Sequence, residues 1–220
     1  MGEVTRVVVV GAPRAVIPPA IAAGRIIAIG RCLDPATVPS IASVLLESGI
    51  RAFEVTMDSA AAPDVLRTLT RRFLDSDLLV GAGTVLDLDH AVVAAEAGAR
   101  FLVMPHLDLE VVGWAAARGI PCFPGAFSPT EILTAWRAGA AAVKLFPSSA
   151  VGPSFVRELR GPLPEIPLIP TGGVTIENAP AFLSAGAVAV GMGSWLTGSG
   201  DVRLIRERAC ALVAAIAEAK

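Results

Sequence analysis

Lys144 stands in the middle of AAVKLFP (141–147), an apolar run closed by a proline. The chain carries 18 Lys and Arg residues, yet lysine occurs only at 144 and at the last position, Lys220. Lysine is avoided elsewhere, so its one internal use calls for a reason. Side chains alternate along a strand, which puts Ala142, Lys144 and Phe146 on one face and Val143 and Leu145 on the other. If Val143 and Leu145 meet surrounding helices, Lys144 points to the interior. An ammonium there loses hydration, its pKa falls, and more of it is free amine, the form that attacks carbonyls. The competing reading is a structural lysine that snorkels to the rim or pairs with a carboxylate. Glu54 is the second charge inside an apolar strand, in AFEVT, and shares a face with Ala52 and Thr56. A carboxylate among Phe53 and Val55 suits a raised pKa and proton transfer; a plain salt bridge to Lys144 is the alternative. An amine that bonds a carbonyl and an acid/base that moves protons on the adduct are the parts of Schiff-base catalysis.

Glycine pairs supply a second kind of chemistry. PTGGV (170–174) and GMGSWL (191–196) each end an apolar run. Turns of this kind let backbone N–H groups approach an anion such as phosphate, with Gly172, Gly173, Gly193 and Ser194 the candidates. GAGT (81–84) has two of the glycines of a dinucleotide-binding loop, but Leu86 stands where the third belongs, which excludes that reading. Asp87, Asp89 and His90 could imitate metal ligands, though Asp87 is better placed as a helix N-cap; no metal and no cofactor are expected. His106, after Pro105, is read as a substrate contact or a loop hydrogen bond. Cys32, Cys122 and Cys210 form no CxxC pair, which argues against disulfides or zinc and for buried thiols.

The elements that must position these residues follow a repeated device. Five times a glycine follows a helical segment and opens an apolar run: SGI (48–50), AGA (97–99), RGI (118–120), AGA (138–140) and AGA (185–187). Glycine just past a helix end takes the left-handed conformation, and the run behind it fits a strand buried on both faces. Eight strands are predicted, over 26–31, 50–56, 78–84, 100–105, 120–125, 141–147, 166–173 and 187–193, with alanine-rich amphipathic helices between them. Eight βα units in one domain of 220 residues predict a (β/α)8 TIM barrel, with a doubly wound open sheet as competitor. Residues 15–24 are read as a short helix under the barrel. Lys144 and Glu54 then lie near the carboxyl ends of their strands, where the chemistry of such barrels gathers.

Composition narrows the partners. With 54% hydrophobic and 17% charged residues and a net charge of -2, there is no basic stripe for nucleic acid. No apolar run reaches the roughly 18 to 20 residues of a spanning helix. The opening MGEVTRVVVVGAP lacks the pattern of a secretory peptide, so a cytoplasmic protein is expected. Asn178 is the sole amide side chain and glutamine is absent; adaptation to heat and a GC-rich genome would both produce this.

Taken in order, FEVT, GAGTVL, a proline ending strand four, FPG, VKLFPSS, PTGGV and GSWL closely resemble the 2-keto-3-deoxy-6-phosphogluconate aldolases and the related 4-hydroxy-2-oxoglutarate aldolases, over about residues 25–196. The resemblance implies a class I aldolase, without metal and usually a homotrimer, that gives pyruvate and an aldehyde such as glyceraldehyde 3-phosphate. On the matching positions Lys144 would form the imine and Glu54 would be the general acid/base. Thr84 and Pro105 would line the pyruvyl end, Phe146 would wall the site, and Gly172, Gly173, Gly193 and Ser194 would hold a phosphate.

One position departs from the family. The phosphogluconate enzymes carry EVTxR, whose arginine binds a carboxylate, whereas this chain reads EVTMD, with Asp58 there. An aspartate would repel an anionic substrate unless it turns outward. The related phosphogalactonate aldolases also lack that arginine and carry one at the end of strand one, where Arg31 stands here. Arg31 is therefore expected to take over the carboxylate. Two other readings stay open: a phosphate-binding isomerase or synthase in which Lys144 never bonds substrate, and a barrel that has lost turnover.

Overall fold

The computed structural model describes residues 14–218. The valine run read as lacking a secretory peptide and Lys220 lie outside the described residues. Strands and helices alternate from α1 (Pro19–Gly24) and β1 (Ile26–Gly30), through α2 (Val38–Glu47), β2 (Ala52–Thr56), α3 (Ala62–Arg72), β3 (Leu79–Gly83), α4 (Leu88–Glu96), β4 (Leu102–Val103) and α5 (Leu109–Ala117). The second half runs β5 (Cys122–Phe123), β6 (Gly125–Ala126), α6 (Pro129–Arg137), β7 (Val143–Leu145), α7 (Gly152–Arg160), β8 (Leu168–Pro170), α8 (Ala179–Ser184), β9 (Val190–Met192), α9 (Ser194–Thr197) and α10 (Val202–Glu218). The five junction glycines, Gly49, Gly98, Gly119, Gly139 and Gly186, all take positive φ, between 67° and 108°. The helix-to-strand device is thus the one the sequence spells.

Every strand pair is parallel. Six strands form a curled sheet in the order β5-β4-β3-β2-β1-β9, and three form a second sheet, β6-β7-β8. The expected fifth strand is therefore two short ones, β5 on β4 and β6 on β7. Pro124 separates them because it has no N–H to continue the ladder, and the Gly125 N–H turns to the His106 carbonyl at 3.1 Å. The sheets touch at both margins. The Ala141 N–H bonds the Cys122 carbonyl at 3.0 Å and the Val188 N–H bonds the Leu168 carbonyl at 3.0 Å, while a parallel bridge joins Thr171 to Gly191.

Strand alternation sorts the side chains into two cores. Phe53, Val55, Val143 and Leu145 pack outward with the helices. Ala52, Phe101, Val103, Phe123, Ala142, Ile169 and Ala189 form an inner cluster drawn from both sheets. The Phe101 and Phe123 rings lie 5.8 Å apart at a tilt of 37°, within the favoured range for aromatic pairs. Gly81 makes room for them: a Cβ there would sit 2.5 Å from the Phe101 ring. Helix α1 is shorter than the expected 15–24; it begins behind Pro18, with Pro19 at its first turn, where the missing N–H costs nothing. Its Ile21 is fully buried in the inner cluster, so α1 closes one end of the interior.

The thiols correct an expectation. Cys122 is buried, but Cys32 and Cys210 are exposed. Cys210 lies on the long, half-exposed α10, and Cys32 follows β1 with φ 48°, in a loop that does not continue the sheet. Among the described residues no helix is long and apolar enough to cross a membrane. Ile21→Ala should lower unfolding free energy in urea by about 2–5 kcal/mol, the usual cost of truncating a buried isoleucine; a loss below about 1 kcal/mol would mean that α1 is only a loose cover.

Candidate functional site

Lys144 and Glu54 sit on the inner side of the sheets, as alternation requires. On β7, Ala142 belongs to the inner cluster while Val143 and Leu145 pack outward, so Lys144 faces inward. Glu54 lies between the outward Phe53 and Val55 on β2. Both are buried, Lys144 at 5% and Glu54 at 2% exposure. Both line one cavity of about 660 Å³, together with Arg31, Phe146, Gly172, Gly173, Gly193 and Ser194. None of the ion pairs among the described residues includes Lys144 or Glu54, so the simple Lys144–Glu54 salt bridge is not formed.

Electrostatics pushes both groups toward neutrality. Burial lifts Glu54 above the usual carboxylate range, against the opposing charges of Lys144 and Arg31. Burial pulls Lys144 below the ordinary lysine value, Glu54 opposes it, and the Arg31 cation adds to it. The cause is desolvation of the charged form. The Lys144 Nζ lies 4.8 Å from the centre of the Phe146 ring, a contact that steadies what charge remains.

Small residues make the space. A Cβ on Gly83 would fall 2.1 Å from Glu54 Oε1, and one on Gly191 would fall 2.3 Å from Thr171 Oγ1. The GAGT stretch is thus a steric device: Gly81 clears Phe101 and Gly83 clears the Glu54 carboxylate.

The PTGG turn is held from two sides. Ser148 Oγ donates to the Gly172 carbonyl at 2.8 Å, and the Ser148 and Ser149 N–H groups bond the Thr171 and Gly172 carbonyls. From the other side Asn178 Nδ2 donates to the Gly173 carbonyl at 2.9 Å, and Asn178 Oδ1 accepts from the Thr175 N–H at 2.9 Å. The chain's only amide side chain therefore braces this turn. Gly172 and Gly173 have φ of 86° and 75°, open to glycine at little cost. Among the described residues, the N–H groups of Gly172, Gly173, Val174, Ser194 and Trp195 have no protein acceptor. Their residues all line the cavity, so five backbone donors without a protein acceptor border it.

Arg31 follows β1, the strand paired with β9, and lines the same cavity. It forms an ion pair with Asp58, and its Nη2 donates to Thr84 Oγ1 at 3.0 Å. Asp58 therefore turns to Arg31 and is not an isolated negative charge. Thr84 and Pro105, expected at the pyruvyl end, do not border the cavity. Thr84 stands behind Arg31, and the Pro105 backbone is crowded against Gly125, where a Cβ would approach to 2.4 Å. His106 is exposed and uses its carbonyl in the loop bond to Gly125. Asp87 caps α4, accepting from the His90 N–H at 2.8 Å. Sequence reasoning missed Ile29, Cys32, Thr171, Thr175, Trp195 and Thr197, which also border the cavity. Only Thr171 and Trp195 carried a signal, since they lie within the glycine motifs already singled out.

The family model "KDPG and KHG aldolase" matches residues 17–214. A probable 2-dehydro-3-deoxy-6-phosphogalactonate aldolase from Rhizobium meliloti is 36% identical over 197 residues, covering 86% of this chain and 90% of that one. A solved native KDPGal structure superposes with a TM-score of 0.85 at 34% identity, over 88% of this chain and 95% of that chain. A KDPG aldolase from Legionella pneumophila, solved with pyruvate captured at low pH as a covalent carbinolamine intermediate, has a TM-score of 0.79 at 29% identity, over 88% and 96%. With a family match across nearly the whole described chain and a buried lysine and glutamate at one cavity, this chain belongs to the KDPG and KHG aldolase family and is a carbon–carbon lyase of that type.

Proposed function

We propose that the protein is a Schiff-base aldolase that cleaves and forms a 6-phosphorylated 2-keto-3-deoxy sugar acid, yielding pyruvate and an aldehyde such as glyceraldehyde 3-phosphate. The observation that carries this reading is Lys144: buried, in no ion pair among the described residues, and facing a cavity it shares with Glu54. The Legionella relative, with its covalent pyruvate carbinolamine, supports the same chemistry here.

The neutral Lys144 amine attacks the keto carbon to give a carbinolamine. Glu54 in its acid form protonates the departing hydroxyl, which leaves as water, and a cationic imine forms. The Glu54 carboxylate then takes the proton of the C4 hydroxyl. The C3–C4 bond breaks, its electron pair flows into the imine, and the aldehyde leaves behind an enamine. Return of the proton to C3 gives the pyruvyl imine, which water hydrolyses to pyruvate and free amine. Arg31 is assigned to the carboxylate, Phe146 to the wall beside the imine, and Gly172, Gly173, Gly193 and Ser194 to the phosphate. Backbone donors with no other acceptor suit an anion. Thr84 and Pro105 act from behind the cavity wall.

In this reading the two sheets are one closed eight-stranded (β/α)8 barrel, supported by the bonds at both margins and by an inner core drawn from both sheets. The protein works as a cytoplasmic homotrimer. Exposed apolar side chains at Leu86, Leu109 and Phe127 follow β3, β4 and β6 and offer an association surface.

Incubation with pyruvate and borohydride should leave a reduced pyruvyl adduct on the peptide bearing Lys144, seen by mass spectrometry, and none in Lys144→Ala. An unmodified Lys144 would transfer the assignment to an isomerase or synthase; an adduct without cleavage of any keto-deoxy acid would mark an inactive barrel. The amine needed for imine formation is populated above the Lys144 pKa, which burial lowers, so the rate should climb with pH below the ordinary lysine range. Since Glu54 raises and Arg31 lowers that pKa, Glu54→Gln should move the rising limb to lower pH and Arg31→Ala to higher pH, read from pre-steady-state trapping. Glu54→Gln should also slow cleavage by about 10²–10⁴-fold, the usual worth of general acid/base catalysis. Gly83→Ala, whose methyl would occupy the place of the Glu54 carboxylate, should lower kcat by about tenfold or more with a smaller change in pyruvate half-saturation; unchanged kcat would show that Glu54 acts from another position.

A further inference from the structure

The Arg31–Asp58 pair has a geometry that simple charge compensation does not explain. Arg31 borders the cavity; Asp58 and Thr84, its two partners, do not. The three residues follow the adjacent strands β1, β2 and β3, so the guanidinium is held from behind by the ends of two neighbouring strands. Arg31 is long and its side chain is 56% exposed, whereas that of Asp58 is 26% exposed. An exposed arginine left to itself samples many rotamers, and a ligand that uses it must order it. Thr84 takes φ 54°, uncommon for a β-branched residue, and its hydroxyl meets Arg31 Nη2.

We propose that Asp58 is a positioning residue that fixes the Arg31 guanidinium at the cavity opening, and with Thr84 sets how tightly the substrate's carboxylate is held. This rests on the reading above, in which Arg31 takes that carboxylate. The aspartate that replaces the family's arginine thus serves carboxylate binding through its neighbour. Two physical effects of Asp58 have opposite sign. Its charge offsets that of Arg31, so field alone predicts tighter anion binding once it is removed. Its hold on the guanidinium predicts weaker binding. Water at this half-exposed pair screens the field, so the ordering effect prevails.

The test is the pyruvate concentration that half-saturates borohydride trapping at Lys144. Asp58→Ala should raise it about five- to tenfold, the scale of immobilising one long side chain, with the trapping rate at saturation changed less than about twofold. Asp58→Asn, which keeps an acceptor without the charge, should fall between. Arg31→Ala should raise half-saturation at least as much, and Arg31→Ala with Asp58→Ala should match Arg31→Ala alone, because Asp58 acts only through Arg31. Tighter binding in Asp58→Ala, or an Asp58→Ala effect undiminished in the Arg31→Ala background, would overturn the proposal. Thermal melts check that each variant is folded. An adduct whose half-saturation is unmoved by Asp58→Ala overturns this proposal alone; no adduct on the wild-type protein overturns the underlying reading and this one with it.

Discussion

An amine and a carboxyl group share the inner face of these sheets without pairing, and the rest of the molecule is built around that constraint. Full charges there would each cost several kcal/mol of lost hydration. A tight ion pair would recover part of that cost but would lock the amine in its unreactive form. Desolvation moves both groups the other way, Lys144 down and Glu54 up. Shifting the proton from amine to carboxylate leaves the net charge of the pair unchanged, so distant charges weigh little. Local burial and the nearby Arg31 decide the balance.

Holding two long polar chains in so dry a place demands room, and the inner face provides it with glycines. Gly83 stands against Glu54 and Gly191 against Thr171, each closer than a methyl group allows. Beyond the cavity lining the interior is filled by Phe101, Phe123 and Ile21. Backbone donors, those of the PTGG turn braced by Ser148 and Asn178, line this cavity together with a guanidinium braced by Asp58 and Thr84. A substrate that carries anionic groups as well as a carbonyl matches that lining.

Much of this was legible in the residues. The left-handed glycines mark five junctions because no other residue takes that conformation cheaply. Period-two alternation placed Lys144 and Glu54 on the inner side because strands buried on both faces still have two distinct environments. Four things were not legible. Pro124 divides a strand whose apolar run looked continuous, since a missing N–H leaves hydrophobicity unchanged. GAGT, excluded as a dinucleotide-binding loop, gave no sign that its glycines clear Phe101 and Glu54, because the spacing of glycines does not say which neighbour needs the space. Asp58 read as a repulsive charge because its partner, Arg31, is 27 positions away and meets it only when β1 and β2 pair. Exposed Cys32 was missed for a similar reason: composition says nothing about a loop leaving a strand end.

Lysine occurs at only two positions, which opens the central claim to direct measurement. With Lys220→Arg, Lys144 is the sole lysine, and 13Cε-lysine labelling gives one side-chain resonance that can be followed through pH. The account predicts a Lys144 titration well below the ordinary lysine value, moving lower still in Glu54→Gln. A titration at the ordinary value, unmoved by that substitution, would mean that the amine is charged and hydrated at neutral pH and would contradict the account.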